Sequence, residues 1–183
     1  MSRPSSIVSL SLLVIGTIGC ERMPSAATGP DVAYSAQRLP GEPGVPFTTR
    51  RYRFNAIGTV PEPGCDAVGE SRRYLAGDGS ATHLGSYTVQ LSFCARPGGI
   101  LDDGLGTFVA ANGDLLHLTF EGTSAFAPPF TLNFTSYALF TGGTGRFDGA
   151  SGQAMVTGSL DVRTGAGDGA WEGMLSSIGS NKR

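Results

Sequence analysis

Thr141-Gly-Gly-Thr-Gly-Arg-Phe-Asp-Gly-Ala-Ser-Gly-Gln153 decides how the rest of the chain is read. Five glycines surround one aromatic residue, so the stretch is a tight turn that pins Phe147 as an anchor. Glycine permits backbone angles other residues avoid and lets two backbones approach closely. Gly142, Gly143, Gly145, Gly149 and Gly152 are therefore structural positions. Asp148 is expected to cap the turn by accepting backbone N–H bonds, as Asp does locally. Two nucleotide readings fail. A dinucleotide fingerprint starting at Gly143 would need Gly or Ala where Asp148 stands, and a phosphate-binding loop needs Gly-Lys-Ser/Thr, which is absent.

Outward from this stretch the dominant signal is period two, the mark of half-buried strands. Tyr52, Phe54, Ala56, Gly58 and Val60 alternate with Arg51, Arg53, Asn55 and Thr59. Tyr87, Val89, Leu91 and Phe93 share a face, as do Leu116, Leu118 and Phe120. Phe130, Leu132, Phe134, Ala138 and Phe140 form another set, and Ala154, Val156, Leu160 and Val162 a further one. Turn chemistry at Gly77-Asp78-Gly79, Pro97-Gly98-Gly99, Asn112-Gly113 and Gly165–Gly169 separates the runs. Asn-Gly favours a type I′ hairpin, in which both central residues take positive φ. The pattern predicts an all-β domain of about eight antiparallel strands with one buried face. Closure into a single small barrel would remove the exposed edges. The glycine segment then lies between the strand ending near Phe140 and the one starting near Gln153.

In that setting Thr141, Gly142, Gly143, Gly145, Phe147, Asp148, Gly149, Ala150, Gly152 and Gln153 resemble the signature Thr-Gly-Gly-x-Gly-x-Phe-acidic-Gly-Ala-x-Gly-Gln. That signature belongs to the allene oxide cyclase family and the related dirigent proteins. The resemblance implies an allene oxide cyclase-like β-barrel, here in a branch of bacterial lipoproteins. In the cyclases an acidic residue and polar partners on early strands handle a fatty-acid epoxide. The first strand here has Asn55 and no carboxylate that maps onto that role, so no catalytic residue is assigned. A second motif, Gly79–Thr88, is similar to one in exported bacterial proteins of unassigned function.

The amino terminus predicts the compartment. Arg3 precedes a mostly apolar run from Ile7 to Ile18, shorter than the roughly 20 residues a spanning helix needs. Residues 1–19 therefore read as a secretory signal peptide. Thr17-Ile18-Gly19-Cys20 is similar to the bacterial lipobox, with Thr17 where Leu is usual. This implies that Cys20 is lipidated and becomes the first residue of the mature protein. Glu21 implies sorting to the outer membrane in a host that has one. Residues 20–47, with Pro24, Pro30, Pro40, Pro43 and Pro46, read as a flexible linker, and 48–183 as the barrel. The alternative is an ordinary secreted protein.

Cys65 and Cys94 remain, an even number suited to an oxidising compartment. They are expected to form a disulfide, the alternative being two separate buried thiols. Removing residues 1–19 takes Arg3 away, leaving 12 of the 13 basic residues against 15 acidic ones. This mildly acidic chain has no basic run, and nucleic acid is excluded as a partner. His83 and His117, the two histidines, read as hydrogen-bonding or solvated residues, and no metal or cofactor is expected. Asp102-Asp103 reads as a solvated turn. Trp171, the one tryptophan, either packs in the last strand pair or lines a cavity mouth.

Asn55 and Trp171 are the two candidates for touching a ligand. The leading expectation is a membrane-anchored, non-catalytic envelope barrel that binds a small apolar molecule. A cyclase-type isomerase and a purely structural or interaction barrel are the alternatives. The oligomeric state is left open.

Overall fold

A computed structural model describes residues 44–60, Cys65 and 71–176. Cys20, the signal peptide expected over residues 1–19 and most of the linker expected over residues 20–47 lie outside the described residues. Eight strands follow in order: β1 (Gly44–Val60), β2 (Ser71–Ala81), β3 (Gly85–Arg96), β4 (Ile100–Ala110), β5 (Leu115–Ala127), β6 (Thr131–Gly143), β7 (Gly152–Asp161) and β8 (Ala166–Ser176). Each pairs antiparallel with the next, and β1 pairs with β8, so the sheet is a closed eight-stranded barrel. The expected all-β antiparallel barrel is the observed fold. Its first strand begins at Gly44, ahead of the boundary expected at residue 48. Pro46 sits inside β1, where its carbonyl accepts the Thr82 hydroxyl at 3.0 Å.

The two ends of the barrel differ in chemistry. We call lower the end that holds Gly44, the β2–β3 turn, Asn112-Gly113 and the Thr141–Gln153 segment. The upper end holds Pro97–Gly99, the β5–β6 turn and the β7–β8 turn. Phe47, Leu84, Leu116, Phe147 and Leu175 are each fully buried and fill the lower end. A chain of rings in edge or tilted contact then climbs the lumen. It runs Phe140–Phe47 (4.9 Å), Phe47–Phe108 (6.0 Å), Phe108–Trp171 (5.0 Å), Trp171–Tyr52 (5.8 Å), Tyr52–Phe54 (5.2 Å) and Phe54–Phe134 (5.7 Å). An eight-stranded lumen is just wide enough for side chains to fill it. Rings of this size fit because glycines face them. A Cβ at Gly104 would come within 2.7 Å of the Phe120 ring, and one at Gly79 within 2.6 Å of the Tyr87 hydroxyl.

This explains a difference from the sequence reading. Gly77-Asp78-Gly79 is no turn: it lies within β2, paired with Val89, Thr88 and Tyr87 of β3. The reversal comes later, at Thr82–Leu84. Asn112-Gly113 does turn the chain, but only Gly113 has positive φ, at 86°. Gly113 N–H donates to Ala110 O at 2.8 Å and Ala110 N–H to Asp114 O at 2.9 Å. That is a type I turn closed by a left-handed glycine, which replaces the type I′ turn expected. The inward set on β1 also ends at Phe54. Past Asn55 the strand loses β8 and pairs with β2 alone, so Ala56, Gly58 and Val60 are exposed. Phe130 stands in the β5–β6 turn rather than in a strand and is exposed, and Val162 likewise follows β7.

Candidate functional site

The Thr141–Gln153 segment is built around its aromatic residue, at the closed end. Gly145–Phe147 form one 3-10 turn, held by Phe147 N–H to Thr144 O (3.0 Å) and Ala150 N–H to Phe147 O (3.0 Å). Gly145 has φ 58°, and a Cβ there would collide with the Asp114 carboxylate. That carboxylate accepts the Arg146 N–H at 3.2 Å and lies 3.7 Å from Arg146 Nε. The cap expected of Asp148 is thus supplied by Asp114, from the neighbouring hairpin. Asp148 is exposed and contributes its backbone N–H, to Gly145 O at 3.3 Å. The Arg146 guanidinium also stands 5.0 Å from the centre of the Phe147 ring.

The upper end holds a cavity of about 60 Å³. Tyr52, Phe54 and Trp171 form its base, and Leu75, Leu91, Phe93, Leu101, Phe120, Leu132, Phe134, Val156 and Leu160 its walls. Ser124, Ser136 and the Tyr52 hydroxyl are the only polar side-chain groups in this lining apart from the indole N–H, and no lining residue is charged. Burial, reinforced by the nearby Tyr87, pushes the Tyr52 hydroxyl far above its ordinary range, so it stays neutral. Drug-sized ligands occupy about 300–1,000 Å³. This space is large enough for a few waters, at roughly 30 Å³ each, or for the tip of an alkyl chain.

Trp171 is placed by an irregularity in the β1–β8 seam. Thr48 pairs with Glu172 and Arg53 with Asp168, so β1 carries one residue more than β8 between those pairs. In the gap the Thr49 hydroxyl accepts the Trp171 backbone N–H at 2.9 Å. Both residues are buried. The indole N–H has no oxygen or nitrogen partner and lies in the aromatic chain, edge to face with Tyr52 and Phe108. Of the two ligand candidates, Trp171 is at the cavity. Asn55 is not: alternation puts Phe54 inside and turns Asn55 out, where it is exposed. It cannot line the lumen.

A second hollow, about 410 Å³ and open to solvent, lies on the outer wall across β2 to β6. Tyr74, Gln90, Ser92, Thr107, His117 and Thr119 line it, and Thr107 Oγ1 and His117 Nδ1 share a hydrogen bond of 3.0 Å. Among the described residues no three His, Cys, Asp or Glu side chains gather as a metal site.

Cys65 and Cys94 form a disulfide, with Cα atoms 5.4 Å apart, both buried against the upper outer wall. Beside it Arg72, also buried, forms an ion pair with Asp103 and donates to Asp103 O at 3.2 Å and Ser92 Oγ at 3.4 Å. Asp102 pairs with Arg96. Asp102 and Asp103 therefore lie in a bulge of β4, where Asp103 has φ 47°, and are ion-paired rather than a solvated turn.

No protein-family model, curated protein or solved structure matches this chain.

Proposed function

We propose that this is an exported envelope protein, lipid-anchored through Cys20, with a non-catalytic barrel that takes the end of a small apolar molecule at its upper mouth. The observation carrying the reading is the cavity over Trp171, with a mainly apolar lining and no charged residue in it. Catalysis on an epoxide calls for an acid or base at the reacting atoms. The cavity has no carboxylate or histidine, and burial makes its Tyr52 hydroxyl a weaker acid than an ordinary tyrosine, which argues against a cyclase. The kinship with allene oxide cyclase-like barrels rests on the Thr141–Gln153 segment and concerns architecture.

Trp171 is the only tryptophan, so its emission reports on the cavity directly. Straight-chain alcohols and short fatty acids are expected to change it saturably, and native mass spectrometry of protein from its host should retain an apolar adduct. Unchanged emission together with a clean apo mass would replace this reading with that of a filled interaction barrel. The small volume of the cavity favours that second reading. The anchor has its own test, in which a Cys20→Ser variant should leave the membrane fraction.

A further inference from the structure

The β5–β6 turn breaks the rule that loop tips are polar. Ala125-Phe-Ala-Pro-Pro-Phe130 has no polar side chain, and Phe126 and Phe130 are 56% and 42% exposed. Val162 of the adjoining β7–β8 turn is 47% exposed and donates its N–H to Phe130 O at 2.9 Å. Phe126 pairs with Leu132, and Leu132 with Leu160, both cavity-lining residues, so the exposed apolar surface is continuous with the mouth. Contiguous exposed apolar surface marks a contact with a partner or a membrane.

We propose that this tip inserts into lipid hydrocarbon and seats the open end of the barrel on a membrane surface. The backbone favours lipid over a protein partner. Hydrocarbon accepts only backbone whose polar groups are already satisfied. Here Pro128 and Pro129 have no N–H to satisfy and Phe130 O accepts the Val162 N–H at 2.9 Å, which removes three of the polar groups the turn would otherwise bring into hydrocarbon. The flank matches as well. The Arg163 guanidinium lies 4.2 Å from the centre of the Phe130 ring and pairs with Asp161 at 2.8 Å. An aromatic tip with a cation at its base is the arrangement of a residue set at the headgroup level.

Geometry permits the contact if the anchor proposed at Cys20 is present. The 24 residues from Cys20 to Gly44 can span up to about 80 Å. A strand of 11 residues, tilted as barrel strands are, rises only about 27 Å. That contour length exceeds the height of the barrel, so an anchor at Cys20 does not exclude contact at the upper end although β1 starts at the lower end.

The test places a tryptophan at the tip of the full chain. Phe130→Trp is mixed with vesicles of phosphatidylethanolamine and phosphatidylglycerol carrying brominated acyl chains, and its emission is compared with the parent's to subtract Trp171. Asn112→Trp, in the turn at the opposite end, is the control. The expected result is a loss of emission and a shift to shorter wavelength for the tip variant alone. No added quenching at the tip, or equal quenching at both ends, overturns the proposal. Phe126→Trp repeats the measurement if Phe130→Trp loses its far-ultraviolet strand signature. The readout is independent of whether the lumen holds a ligand, so it fails separately from the binding reading.

Discussion

The lower end of the barrel is plugged and the upper end is not, although both are made by connections between antiparallel neighbours. At the lower end Phe147 is fully buried in a turn whose glycines let the chain fold over it. At the upper end Phe126, near the end of β5, and Phe130, in the turn with two prolines, remain exposed. Phenylalanine occurs in both, so the side chain alone does not decide burial. The difference lies in the backbone. The left-handed Gly145 lets the lower turn fold over Phe147, while the three-residue upper turn leaves Phe130 in solvent.

The contrast can be attacked first where it is strongest. Phe147→Ala should lower stability by about 3–5 kcal/mol in chemical denaturation, through lost burial and the cavity left behind. A loss below about 1 kcal/mol would show that the plug contributes little. Next is the disulfide, which staples the upper outer wall. Replacing Cys65 and Cys94 by Ser should cost roughly 3–4 kcal/mol on the chain-entropy account, given their separation of 29 residues. An unchanged midpoint would mean that the buried contacts around Arg72 hold the wall unaided.

A third measurement concerns the level between the ends. Burial holds the Tyr52 hydroxyl neutral well above its ordinary value of 10.0. Its contribution is complete below that value and fades as pH rises past it, because the unfolded chain ionises first. Alkaline unfolding is thus expected to begin above pH 10.0, and Tyr52→Phe should move it upward. The same alkaline midpoint in both proteins would assign the transition to other groups.

The smallest effects belong to the open end. Phe126→Ser should change stability by no more than about 0.5 kcal/mol, since an exposed side chain has little burial to lose. Asp161, hydrogen-bonded to the Arg163 side chain, is held at about 2, below its ordinary 3.8. The advantage is complete above 3.8 and disappears as pH falls through about 2. Carboxyl titration by NMR should find this low value, and Arg163→Ala should return it to the ordinary range.

The alternation of Tyr87, Val89 and Leu91, or of Leu116 and Leu118, carries the strands in plain view, and so the all-β class was legible. What misled was glycine, which has two uses in this chain. Gly77 and Gly79 read as a turn but act as spacers beneath tyrosine rings, and Gly104, set against the Phe120 ring, weakens the alternation of β4 in the same way. Local order alone does not separate these uses, because the ring that requires the glycine comes from another strand. Distance in the chain also hid the partnership of Asp114 with the 145–147 turn. At the site, Trp171 was a legible candidate. The apolar tip was present as residues 125–130, yet Phe130 counted as one more strand position until the β5–β6 register placed it in the turn.

The seam between β1 and β8 has a consequence for biogenesis. Gly44 pairs with Ser176, so the first described strand finds its second neighbour only after the last has been made. The other strands pair with neighbours a short hairpin away, or a somewhat longer connection for β1–β2. Closing so long a loop is slow compared with forming hairpins. If the chain is threaded across a membrane from its amino terminus, one edge of β1 stays unpaired throughout translocation. In that case a chaperone that covers such an edge would matter more to the maturation of this protein than its final stability suggests.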